Sequence, residues 1–104
     1  MPESIADIHY HNQIFVLTGS LDYSNADLIY EKSLDNLNVA SHLVFDFAQI
    51  KSINSSGIAL MIEWLKFAKQ HKKKIQFQNI PSYLLTIAKA AGIDKLISGQ
   101  DEFH

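Results

Sequence analysis

The chain of 104 residues suits one domain, taken as residues 1–104, and 47% of it is hydrophobic, which is enough for a folded core. It contains no cysteine, so disulfides, thiolate metal sites and thiol catalysis are excluded. Residues 1–50 carry seven acidic residues and one lysine, whereas residues 51–104 carry eight lysines and four acidic residues. Arginine is absent, which argues against a nucleic-acid partner, whereas opposed charges of this kind can orient a protein partner.

The first half of the sequence predicts two strands, a helix and a third strand. Residues 5–10 read as a ragged first strand, and residues 13–18 are β-branched and aromatic, which predicts a second strand ending at Gly19. Ser24 followed by Asp27 resembles a helix start, and helical spacing of apolar residues then predicts a helix over 24–37. The apolar run 42–47 predicts a buried central strand.

The second half predicts a loop over 48–54 and then a long helix that is capped by Ser55 or Ser56 and ends near residue 71. The basic cluster 71–74 fits the solvated end of that helix. Residues 74–78 alternate as a strand, and a third helix follows over 81–91. The order β-β-α-β-α-β-α predicts an α/β fold with a mixed, mostly parallel four-stranded sheet and helices packed on it.

Neither catalysis nor a cofactor is indicated. The sequence has no glycine-rich phosphate loop and no serine-hydrolase or zinc-protease motif. His9 and His11 share a strand face, but no third ligand has a recognisable spacing, so we predict no metal site. No basic segment followed by an apolar run opens the sequence, and no apolar run approaches the roughly 20 residues that span a bilayer. We therefore expect a non-enzymatic cytoplasmic protein without direct membrane insertion.

The segment Ile53-Asn54-Ser55-Ser56-Gly57 brings two hydroxyl groups and a glycine to the start of the long helix. Unpaired backbone N–H groups and the helix dipole favour an anion there, including a phosphate carried on serine. The alternative is that Ser55 or Ser56 only caps the helix and that Gly57 only permits close packing. The spacing of these residues leaves both interpretations open.

The long helix carries two apolar stripes. One stripe is the expected core face and consists of Ile58, Met61, Ile62, Leu65 and Ala68. The second stripe, nearly opposite, consists of Leu60, Trp64 and Phe67. Large aromatic residues on an exposed stripe are typical interface anchors, but a neighbouring helix could equally cover them. Both interpretations of the second stripe remain open at this stage.

Two loops are expected at the same edge of the sheet. The turn over residues 17–22 follows the second strand, and the Ser55 segment follows the central strand. Because loops at the carboxyl ends of parallel strands gather at one edge, the two could form one recognition surface.

The two loop sequences together resemble a known family. Leu17-Thr18-Gly19-Ser20-Leu21-Asp22 is similar to the start of STAS domains, and Ile53-Asn54-Ser55-Ser56-Gly57 is similar to their second signature. In the carboxyl-terminal half, residues 57–61, 75–81 and 85–93 most resemble MlaB-type STAS subunits of Mla lipid-transport ABC systems. This resemblance implies a SpoIIAA-like fold and a small cytoplasmic protein that binds the transporter's ATPase subunit, in a system that moves phospholipid between the membranes and maintains outer-membrane lipid asymmetry.

The resemblance also implies roles for individual residues. In anti-sigma factor antagonists of this family, the position of Ser55 is the phosphorylated serine, and Asp22 matches the other acid near this loop. Asn54 replaces the usual aspartate, which keeps the hydrogen-bonding shape but loses the charge. The alternative function is therefore an anti-sigma factor antagonist that binds a kinase-like anti-sigma factor and is released by phosphorylation of Ser55. A direct nucleotide- or lipid-binding module is a third alternative, and a second copy of the chain in a weak homodimer is a further possible partner.

Overall fold

The computed structural model describes residues 5–98, so residues 1–4 and 99–104 of the predicted domain lie outside the described range. The elements are β1 (Ala6–His11), β2 (Ile14–Leu21), α1 (Ala26–Leu37), β3 (His42–Ile53), α2 (Ser55–Gln70), β4 (Lys74–Gln78), α3 (Ser82–Ala90) and the short α4 (Asp94–Ser98). The four strands form one sheet in the order β1-β2-β3-β4. β1 runs antiparallel to β2, and the other two pairs are parallel. The predicted mixed, mostly parallel sheet is confirmed.

The core forms where one face of the sheet meets the helices. Large apolar side chains alternate along the strands, and neighbouring strands bring them into register, with Phe15 opposite Phe45 and Phe45 opposite Phe77. The Phe45 ring lies 4.7 Å from that of Phe15 and 4.0 Å from the Trp64 ring of α2, measured between centroids. Stacked aromatic pairs at this spacing are favourable beyond the area they bury. The centre of the core is therefore an aromatic stack that runs from the sheet into α2.

Both strands that lead to the candidate site are longer than predicted. β2 continues through Gly19 to Leu21, and β3 continues to Ile53, so the predicted loop over 48–54 is mostly strand. The extension forms because Gly19 lies opposite Ile50 and Leu21 lies opposite Ile53 in the parallel ladder. Gly19 has a positive φ of 84°, and a Cβ there would overlap the Ile5 carbonyl. Glycine is the residue that tolerates both conditions.

The helix starts also differ from the prediction. α1 begins at Ala26 rather than at residue 24, because Ser24 is held in the preceding loop by the carboxylate of Asp22. α3 covers Ser82–Ala90 within the predicted 81–91, with Pro81 immediately before its first turn. In that position proline sacrifices no helical hydrogen bond.

The second apolar stripe of α2 is buried within the chain. Trp64 is fully buried, Leu60 is 4% exposed and Phe67 is 9% exposed. The prediction that these three residues anchor a partner is therefore wrong, and the alternative of burial under a neighbouring helix is the correct one. The sheet and α1 together cover Trp64, since its ring stacks on Phe45 of β3 and its indole N–H donates to the Ser33 hydroxyl of α1. Of the predicted core face, Ile62 is half-buried and the other four residues are buried.

Candidate functional site

The candidate site lies at the edge of the sheet where β2 and β3 end side by side. Leu21 and Ile53, the last residues of these strands, face each other in the ladder. One residue further on, the backbone N–H of Asn54 donates to the carbonyl of Leu21 over 3.4 Å. The β2–α1 loop and the start of α2 are therefore neighbours, as the parallel arrangement of the two strands predicts.

Asn54 caps α2. Its side-chain oxygen accepts hydrogen bonds from the backbone N–H of Ser56 at 2.8 Å and from the hydroxyl of Ser56 at 2.5 Å. Asparagine is among the best residues at this position because its side chain satisfies an N–H group that the helix leaves unpaired. The prediction that Ser55 or Ser56 is the cap is wrong. Asn54 therefore has a structural role that does not require the charge of an aspartate.

The two adjacent serines differ in what they offer to a partner. Ser56 is 3% exposed and its hydroxyl is bonded to Asn54. Ser55 is exposed, and its hydroxyl oxygen lies 2.5 Å from the phenolic oxygen of Tyr23 in the neighbouring loop. Of the two hydroxyl groups, that of Ser55 is therefore the one available at the surface, and it sits on the first residue of a helix.

Asp22 shapes the loop that carries Tyr23. Its carboxylate accepts from the backbone N–H of Ser24 at 2.9 Å and from the Ser24 hydroxyl at 2.5 Å. The side chain of the buried Asn25 completes the loop, since it accepts from the Asp22 N–H and donates to the Ser20 carbonyl. Asp22 thus fixes the loop in which Tyr23 lies, through its bonds to Ser24.

Gly57 and Tyr83 both contact Ile53 at the end of β3, just before α2 begins. A Cβ on Gly57 would overlap the side chain of Ile53, so only glycine lets the helix approach the strand this closely. The phenolic oxygen of Tyr83, in the first turn of α3, accepts a hydrogen bond from the Ile53 N–H over 2.9 Å. This bond links α3 to the last residue of β3.

Tyr23 and Tyr83 are the site residues that sequence reasoning missed. Both are bonded to the segment 53–55, and their side chains are 74% and 48% exposed. Tyrosine is favoured at protein interfaces because it combines a large apolar ring with a polar tip. Sequence spacing carried no signal for them, since they lie 32 and 30 residues from their partners.

We refer to the surface formed by Tyr23, Ser55 and Tyr83 as the Ser55 surface. Among residues 5–98, no group of three or more histidine, aspartate or glutamate side chains could hold a metal ion. Within the same range, no helix has both the length and the apolar character needed to cross a membrane.

Comparison with known proteins gives a family match and several similar solved structures. Residues 6–98 match the sequence profile of the family described as Mlab, STAS domain. A chain of the Acinetobacter MlaFEDB complex in the ATP-bound Vtrans2 conformation matches with a TM-score of 0.74 at 26% identity, over 86% of this chain and 95% of that chain. The same complex in the Vtrans1 conformation matches with a TM-score of 0.71 at 30% identity, over 81% and 90%.

The anti-sigma factor antagonist SpoIIAA in its unphosphorylated form matches with a TM-score of 0.69 at 13% identity, over 89% of this chain and 85% of that chain. At this identity the likeness concerns the fold alone. No curated protein matches the chain.

The family match shows that the chain is a STAS domain, and the likeness to SpoIIAA shows that its fold is SpoIIAA-like. Within that class, the chain belongs to the MlaB STAS-domain family, whose profile it matches over residues 6–98.

Proposed function

We propose that this chain, as a single STAS domain over residues 1–104, is the cytoplasmic subunit that binds the ATPase of an Mla-type phospholipid-transport ABC system. The observation that carries the proposal is the likeness to a chain of the ATP-bound Acinetobacter MlaFEDB complex, which reaches 30% identity and 90% of that chain's length. The subunit acts by docking and catalyses no reaction itself. Its role is to support the assembly and activity of the ATPase, and through it outer-membrane lipid asymmetry.

The Ser55 surface is the proposed docking site. It offers two exposed tyrosine rings and a serine hydroxyl, which together suit a contact with a small apolar centre and a polar rim. Asn54, Ser56 and Gly57 hold the start of α2 that presents Ser55. A charged or bulky side chain at Ser55 would disrupt such a contact, because it would enter a desolvated region without a partner.

The test compares binding to the ATPase subunit encoded by the same genome. We expect Ser55→Arg and Ser55→Asp to raise the dissociation constant by about tenfold or more, which corresponds to a loss of about 1.4 kcal/mol of binding free energy. Ser41→Arg is the matched control, because Ser41 is exposed and precedes β3 at the opposite end of that strand. If Ser55→Arg binds as tightly as Ser41→Arg, the proposed docking site is wrong.

A second candidate function is an anti-sigma factor antagonist. It is favoured by the exposed hydroxyl of Ser55 on the first residue of a helix, where a phosphate is electrostatically stabilised. Phosphorylation would add about −1.5 to −2 charge beside Tyr23 and would displace a bound anti-sigma factor. The test is incubation with the cell's kinase-like anti-sigma factor and ATP, with Ser55→Ala as control. Stable phosphate on Ser55 would favour this function over the transport role, and no incorporation would eliminate it.

A further inference from the structure

A groove runs between α1 and α2 beside the Ser55 surface. It has a volume of about 590 Å³ and is lined on both sides by the two helices. The rings of Tyr23 and Tyr30 form apolar parts of its wall, and the small side chains of Ala26 and Ala59 leave room between the helices. The groove and the Ser55 surface share Tyr23, so a partner that contacts that surface also lies next to the groove.

The groove carries negative charge. Asp27, Glu31 and Glu63 line it, and no lysine or histidine does so in the described part of the chain. Glu63 also contacts Lys66 at 3.4 Å, but both side chains are more than half exposed, so this ion pair is weak.

The single lysine of α1 does not offset the charge in the groove. Lys32 does not line the groove and is bonded to Asp7 of β1 at 2.9 Å. Burial of the Tyr30 phenol, together with the nearby charge of Glu63, raises the pKa of Tyr30, which is consistent with a negative field in this place.

We propose that the α1–α2 groove binds a lysine- or arginine-bearing segment of the ATPase partner, an inference that rests on the docking function proposed above. The alkyl stem of a basic side chain can lie along the tyrosine rings and the alanine side chains, with its cation held between carboxylates. Charge complementarity of this kind sets the orientation of docking and the rate of association. The acidic groove thus adds orientation to a contact that the Ser55 surface anchors.

The test uses charge reversal at matched positions of one helix. Glu31→Lys places a positive charge in the groove, and Asp35→Lys makes the same change at an exposed position of α1 that does not line it. We expect Glu31→Lys to weaken binding of the ATPase subunit at low salt by about tenfold or more, and Asp35→Lys to change it by less than about twofold. Glu31→Gln should give an intermediate loss. Raising the salt concentration should reduce the difference between Glu31→Lys and wild type.

The possible outcomes distinguish failure of the groove proposal from failure of the proposed docking function. If Ser55→Arg weakens binding but Glu31→Lys behaves like Asp35→Lys, the groove proposal is overturned and the docking function stands. If the wild-type chain binds no ATPase subunit, the proposed docking function fails. Titration of an octalysine peptide into the ¹⁵N-labelled chain then tests whether the groove binds a basic segment. Amide shifts centred on Ala26, Glu31 and Ala59 would support a site for basic segments. Shifts elsewhere, or none, would overturn it.

Discussion

The indole N–H of Trp64 donates a hydrogen bond to the hydroxyl of Ser33 over 3.0 Å in the interior of the protein. The same hydroxyl donates to the Tyr30 carbonyl at 2.6 Å, so one serine side chain satisfies a polar group on each of two helices. The Trp64 ring stacks on Phe45 of the central strand. Trp64 therefore joins α1, α2 and β3, and its role is structural.

We expect Ser33→Ala to lower the free energy of unfolding by about 1–3 kcal/mol, because it leaves the buried indole N–H without a partner. Urea unfolding followed by tryptophan fluorescence measures this loss. Ser41→Ala is the control, since Ser41 is exposed, and it should leave the midpoint nearly unchanged. Equal midpoints for the two variants would mean that the hydrogen bond contributes nothing.

The strand and helix order could be predicted from the sequence because apolar periodicity reports which residues of one element share a face. It does not report which other element covers that face. The stripe that contains Trp64 is the example: helical spacing identified it, but only the positions of β3 and α1 show that it is buried. The extension of β3 to Ile53 was also missed. The pairing of β3 with β4 ends at Asp46 and Gln78, so the last residues of β3 are held as a strand by β2 alone.

The location of the candidate site could be predicted for a different reason. Asn54, Ser55 and Gly57 are local in sequence, and the parallel order of β2 and β3 places their segment beside the loop of Asp22. The roles of the residues within the site could not be predicted. Whether Asn54 or a serine caps the helix depends on side-chain rotamers, and the contributions of Tyr23 and Tyr83 depend on contacts between distant segments.

Gly57→Ala should destabilise the protein by about 1–3 kcal/mol, because the new methyl group would overlap the buried side chain of Ile53. The mechanism is tested by a double-mutant cycle with Ile53→Ala, which removes the overlapping atoms. The double variant should be more stable than the sum of the two single losses predicts, by about 0.5–3 kcal/mol. Ser55→Ala, in the same helical turn but exposed, should change stability little. Additive losses would contradict the steric explanation.

Tyr83→Phe should loosen the end of β3 without unfolding the protein. The substitution removes the phenolic oxygen that accepts the hydrogen bond from the Ile53 N–H. Because such a bond contributes about 1 kcal/mol, its loss should make the Ile53 amide exchange with solvent about fivefold faster. Hydrogen–deuterium exchange by NMR measures it. Tyr23→Phe is the matched control, because it removes the contact with Ser55 but leaves the Ile53 bond in place. An unchanged exchange rate of the Ile53 amide in Tyr83→Phe would rule out that the Tyr83 phenol stabilises the end of β3.

Lys73 should contribute more to stability than any solvated lysine, although the sequence suggested that the cluster 71–74 is only a solvated helix end. Its ammonium group donates to the carbonyls of Leu37, Asn38 and Ala40 at 2.6, 3.0 and 2.7 Å, where α1 ends without a basic residue of its own in the last turn. We expect Lys73→Met to cost about 1.5–3 kcal/mol, because these carbonyls lose a charged donor at a helix carboxyl terminus. Urea unfolding of Lys73→Met beside Lys72→Met, whose side chain is exposed, tests this. Equal stability of the two variants would show that water replaces the ammonium group at no cost.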